Sequence, residues 1–222
     1  MEQDTPEDVV IRARDLGVDG EHGPLFQGID LDIGSGFHAI QMPAGRDQDA
    51  LLLTLAGRLR PSHGTVDALG ATSPSAIRRK CAIAAFEDID DLDETVTVET
   101  VLAEQRRWLA PWYSMVPLSA GRLELDQVFG DVERPSPKTR IVELTDLQLF
   151  LLRITLALLG DRPILVVGDL EQVRDNPGRF EAAQRLGAVA TRYTVVVGVT
   201  NPLGGTAPEH TLHDRRALTR KD

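Results

Sequence analysis

Short apolar runs punctuated by turn residues alternate with stretches of helical period along this chain of 222 residues. Positions 9–18 are rich in apolar residues and stop at Asp19, Gly20 and Gly23, which predicts a strand. From Leu25 to Ile33, the apolar Phe26, Ile29, Leu31 and Ile33 alternate with polar residues, the pattern of a half-buried strand. Phe37 to Met42 is a short apolar run followed by a loop, Pro43-Ala44-Gly45-Arg46-Asp47. Leucines at 51, 52, 55 and 59 then recur at helical spacing, predicting a helix over 50–59 that Pro61 and Gly64 end. This strand–loop–helix order is the first half of a βα unit of a parallel sheet.

Cys81 to Phe86 reads as another strand. After it, Glu87, Asp88, Asp90, Asp91, Asp93 and Glu94 place six carboxylates in eight positions, expected to be a solvated loop. A cation site is the alternative, although the run lacks the Gly and closing Glu of a calcium loop. Helices are expected over 97–110, with Thr97 as N-cap, and over 121–130, with a linker at Arg134-Pro135-Ser136-Pro137. Between 147 and 159 apolar residues cover every face of a helix, which marks it as buried, and Arg153 is the one charged residue in the run. Ile164 to Val167 is apolar on both faces, as a central parallel strand is. A helix over 179–190 and a strand over 193–199 complete the βα rhythm, which a mostly helical insert interrupts between about 87 and 145.

Composition narrows the classes. The chain is 42% hydrophobic and 26% charged, enough for a sizeable core and against disorder. A net charge of −10 disfavours a nucleic-acid surface, which needs clustered positive charge. One cysteine, Cys81, makes no internal disulfide, pointing to a reducing compartment. No uncharged apolar run reaches the length of a membrane span, and the acidic start MEQDTPEDVV lacks the basic-then-apolar order expected of a signal peptide. His22, His38 and His63 lack the spacing of a metal cluster.

Several blocks then fall into one order. LFQGIDLDI, followed after 17 residues by LLLTLAGRLRPSHGTV, closely resembles the start of an ATP-binding cassette, the nucleotide-binding subunit of ABC transporters. LTDLQLFLLRITLALLGDRPILVVGDLEQVRDNP resembles that family's signature segment, long helix, Walker B strand and D-loop, and TVVVGVTNP its last core strand and switch turn. The resemblance spans about residues 9–218. It implies an α/β, P-loop NTPase-like fold: a mainly parallel sheet core, an N-terminal antiparallel β-subdomain and an inserted helical subdomain. The whole chain, 1–222, is expected to be one domain, with core and β-subdomain at about 1–86 and 160–222 and the helical part at about 87–159.

At the positions that carry the family's chemistry the residues differ. The phosphate loop falls on Met42 to Asp49, where Met42, Asp47, Gln48 and Asp49 stand in place of Gly, Gly, Lys and Ser/Thr, and only the middle Gly45 survives. Carboxylates near a triphosphate repel it: one like-charge pair at about 4 Å costs roughly 4 kcal/mol at an effective dielectric near 20. Gly45, Arg46, Gln48 and Asp49 are what remains of a nucleotide site. The signature Leu-Ser-Gly-Gly-Gln reads Leu144-Thr145-Asp146-Leu147-Gln148, so Leu144 and Gln148 are retained. Alignment on Asp175 puts Gly168 at the magnesium-holding Asp and Asp169 at the general-base Glu; alignment on Pro163 makes Asp169 the magnesium ligand and leaves Leu170 in place of the base. Asn201 replaces the switch histidine, Gly20 the adenine-stacking aromatic, and Glu87 or Asp88 the magnesium-sensing Gln.

The expectation is therefore an ABC-cassette-like protein without the groups that position charge for hydrolysis. Asp169 is its one weak catalytic candidate and a metal site is not expected. No cofactor is expected, with ATP and magnesium as the alternative. A non-hydrolysing scaffold or regulatory subunit follows, against a rearranged ATPase that binds nucleotide through Arg46 and the acidic loop. The resemblance implies a membrane subunit or a second cassette as partner, in a homo- or heterodimer, and a place in the cytoplasm at the inner face of the membrane. Trp108, Trp112, Tyr113 and Met115 lie close together in the insert and are the candidate docking residues, with packing of the insert's own core as the other reading.

Overall fold

A computed structural model describes residues 9–109, 122–204 and 207–214. Its first layer is an antiparallel sheet in the order β2-β1-β4, formed by β1 (Ile11–Gly20), β2 (Gly23–Ile33) and β4 (His63–Ala68). Ile11 pairs with Ile33 on one side and Ala68 on the other, so the alternation of Phe26, Ile29, Leu31 and Ile33 becomes a buried face. The second sheet has the order β5-β6-β7-β3-β8, from β3 (Phe37–Gln41), β5 (Cys81–Ala84), β6 (Ile164–Asp169), β7 (Thr194–Val199) and β8 (Thr211–Asp214). Every neighbouring pair in it is parallel.

That parallel sheet divides two cores. Leu165, Val167, Val195 and Val197 pack into one with the helices α3 (Val98–Leu109), α4 (Arg122–Phe129), α5 (Asp146–Leu158) and α6 (Asn176–Val189). Ile164, Val166 and Val196, the alternate positions, pack into the other with α1 (Arg46–Leu55) and the antiparallel sheet. Strands buried on both faces have to read as unbroken apolar runs, which is why β6 and β7 look as they do. The fold is thus the mixed, mainly parallel α/β architecture with an antiparallel layer that the sequence predicts.

Boundaries differ in instructive places. α1 spans Arg46–Leu55 rather than 50–59, starting directly after the loop, and it stops where Gly57 takes a left-handed φ of 68°. A Cβ on Gly57 would also collide with Ile77 and the Pro74 carbonyl. Two elements have no counterpart in the sequence reading. The seven-residue α2 (Pro74–Lys80) is capped by Ser73, whose Oγ accepts the Ala76 N–H at 3.3 Å. β8 is a four-residue edge strand, too short for a period to show. Thr97 does cap α3, accepting the Thr100 N–H at 3.3 Å. No helix among the described residues is long and apolar enough to cross a membrane.

Candidate functional site

Because all five strands of the second sheet run the same way, their C-terminal ends share one edge, where open α/β sheets place their ligands. The loop after β3, the loop after β5 and the end of β6 meet there around a cavity of about 550 Å³. Ala44 and Gly45 line it from the first loop, Glu87 and Asp91 from the second, and Asp169, Glu171 and Gln172 from the third segment. Asp49 of α1 and Asp146, Phe150 and Arg153 of α5 complete most of the remaining wall.

The residues predicted to form a phosphate loop separate into three positions. Gly45, at φ 115°, is the residue before α1, and Asp49 donates its N–H to the Gly45 carbonyl at 3.0 Å. Both face the cavity, whereas Arg46 is exposed and not part of its wall. Gln48 turns the other way. It is fully buried, donates from Nε2 to the Met42 carbonyl at 3.1 Å, and lies so close over Gly198 of β7 that a Cβ there would overlap it. The amide fills the inside of the loop, and its Oε1 is buried without a hydrogen-bond partner.

Asp169 ends β6 and accepts the Glu171 N–H at 3.0 Å, capping a 3-10 turn over Leu170–Gln172. Its carboxyl is raised to about 6, first by burial, then by the negative Asp49, with Arg179 opposing and Glu87 adding. Asp49 is raised too, by burial and by Glu87. These carboxylates repel one another in a partly desolvated place. The β6 pairing slips by one residue here: Val167 pairs with Val197 but Asp169 with Gly198, so Gly168 is the extra residue of a bulge. A Cβ on Gly168 would sit inside the Ala85 carbonyl oxygen, so no acidic side chain fits at that position. The one-residue ambiguity of the two sequence alignments falls on this irregular strand end.

Leu144 and Gln148 stand at the start of α5. Thr145 accepts the Gln148 N–H at 3.1 Å while Gln148 Oε1 accepts the Thr145 N–H at 3.2 Å, a reciprocal cap that fixes the helix entrance. Gln148 also donates to the Glu133 carbonyl at 3.1 Å, and Leu144 packs against the core. Asn201 donates to Glu171 at 3.3 Å, beside a smaller cavity of about 280 Å³ between the turn, α6 and the loop after β7. Glu171 is paired there with Arg179.

The acidic run after β5 is not simply a solvated loop. Asp90 accepts the N–H groups of Ala85 and Phe86 at 2.8 and 2.7 Å and is forked by Arg153, at 3.1 Å from Nε and 2.6 Å from Nη2. Sequence reasoning gave Asp90 no role, because its partner lies 63 positions away. The signal was the lone Arg153 in an apolar helix, since a buried charge needs a paired one. Trp108 is 86% exposed at the end of α3. Trp112, Tyr113 and Met115 lie outside the described residues. No group of three or more metal-ligating side chains occurs among the described residues.

No protein-family model matches the chain, and no curated protein does. Solved structures do. A putative ABC transporter ATP-binding protein from Pyrococcus furiosus superposes with a TM-score of 0.73 at 18% identity, over 95% of this chain and 99% of that one. CbiO1 from Clostridium perfringens, described as part of the ABC transporter complex CbiONQ, gives 0.69 at 17% identity, over 88% and 80%. A bacterial ABC transporter cassette solved as a dimer gives 0.69 at 17%, over 86% and 88%. The fold is that of the ATP-binding cassettes of ABC transporters.

Proposed function

We propose that this chain is an ABC-cassette-like subunit that does not hydrolyse ATP and serves as a scaffold or regulatory component of a membrane complex. The carrying observation is the charge of the cavity at the predicted phosphate loop, where Asp49, Glu87 and Asp169 converge: burial and then Glu87 raise the carboxyl of Asp49, and burial and then Asp49 raise that of Asp169. A triphosphate brings more negative charge to that place, and Gln48, at the position of the phosphate-binding lysine, is turned inward and neutral. The residues present do not fit magnesium-ATP. The relatives in fold support the choice of partner: one is described as part of a transporter complex and another as a dimer. A membrane subunit or a second cassette is the matching partner here, docked through the stretch that contains Trp108, Trp112, Tyr113 and Met115, with the chain peripheral to the membrane's cytoplasmic face.

Thermal-shift titration with magnesium-ATP tests the reading. A ligand at 100 times its dissociation constant stabilises by about 2.7 kcal/mol. The expected result is no shift at millimolar nucleotide for the natural chain, and a shift for the combined variant Met42→Gly, Asp47→Gly, Gln48→Lys, Asp49→Ser. A saturable shift in the natural chain overturns the reading and favours an ATPase with a rearranged site.

A further inference from the structure

Arg153 is the most buried charged side chain of the cavity wall, 7% exposed, and its five polar contacts reach two segments distant in sequence from α5. On α5 it forks Asp90, approaches Asp91 at 3.3 Å and donates to the Phe86 carbonyl at 2.6 Å, all in the loop after β5. Its other amine donates to Gln172 Oε1 at 3.2 Å, in the turn after β6. Gln172 in turn donates to the Ala85 carbonyl at 2.6 Å. The loop it grips is strained: Ala85 and Asp88 take left-handed φ values of 60° and 61° without being glycine. Such residues persist where their surroundings over-determine them, and they concentrate in segments that switch.

We infer that Arg153 couples the two walls of the cavity, holding the strained loop after β5 and the turn after β6 to α5 so that they shift as one body. The guanidinium suits this task because its planar fork addresses several acceptors at fixed angles, which a lysine ammonium does not. The coupling stands whether or not a nucleotide binds, because it rests on contacts inside the chain. Its consequence is that a ligand or partner displacing either wall is felt at the other wall and along α5, toward the rest of the helical layer.

Hydrogen exchange on the full chain tests it. The reporters are the Ala85 and Phe86 amides, held by Asp90, and the Glu171 and Val173 amides, held within the turn. In Arg153→Lys both pairs are expected to exchange about tenfold faster while the amides of β7 hold. In Asp90→Asn, which alters only the loop side, the turn amides are still expected to speed up by about threefold. A merely local structural role moves the loop amides and leaves the turn unchanged; that result in Asp90→Asn overturns the coupling, even if Arg153→Lys fails to fold.

Discussion

Two helices enter the same cavity and treat buried polarity in opposite ways. α5 brings in a cation, Arg153, and surrounds it with Asp90, Asp91, a backbone carbonyl and an amide, so that the charge is answered almost completely. α1 brings in Asp49 and turns Gln48 away from the cavity, into the protein beneath the loop. The first faces Glu87 and Asp169 as like charges, and the second leaves an acceptor unpaired. The contrast separates what stabilises this fold from what burdens it. A paired buried charge costs most when one partner is removed, whereas removing an unpaired one is a gain.

The largest effect should come from breaking the compensated side. Arg153→Ala is expected to destabilise by about 3 kcal/mol in urea denaturation, because Asp90 is left without its fork; a loss below about 1 kcal/mol would mean that water replaces the guanidinium. Gly168→Ala strikes the same region through sterics, forcing Ala85 and β6 apart, and should cost about 2–3 kcal/mol. On the uncompensated side the sign reverses. Asp169 is raised to about 6, so between roughly pH 4 and 6 the folded state binds more protons than the unfolded one, and its contribution to stability falls as pH rises. Asp169→Asn should therefore stabilise the chain above pH 6, by about 1 kcal/mol after solvent screening, and change little near pH 4.

His213 supplies an opposite slope. Its Nε2 lies 3.2 Å from His38 Nδ1, and burial, then His38, lowers it to about 4, so between pH 6.5 and 4 the unfolded state binds more protons and stability falls as pH falls. His213→Gln should flatten that acid-side loss, uncovering the Asp169 slope in stability curves measured from pH 4 to 7. The smallest effect on stability belongs to Trp108→Ala, within about 0.5 kcal/mol given its exposure. If the docking proposal holds, the same variant loses partner recovery from membranes; unchanged recovery would count against it.

Most of the fold could be read along the chain because its signals are local. The alternation in β2, the unbroken apolar runs of β6 and β7 and the all-apolar α5 each follow from where a strand or helix must be buried. α2 and β8 were invisible for the complementary reason: one is held by a cap and one by a neighbour, and neither is long enough to show a period. The candidate site was half legible. The residues at the phosphate-loop and signature positions are there in the sequence, and so is the wrong sign of charge at Asp49. That Asp49 shares a cavity with Glu87 and Asp169, while Arg46 stays outside it, is not.

The chain's own order thus determined its elements, their parallel arrangement and the residue types brought to the loop ends, since hydrophobic period and turn chemistry act over a few residues. Only the tertiary structure decided which way Gln48 turns, why Gly168 admits no side chain, and that Asp90 in an acidic run belongs to Arg153. Those outcomes depend on close approach and charge pairing between segments distant in sequence. Such interactions fall off within a few ångströms, so they exist only once the strands have set the distances.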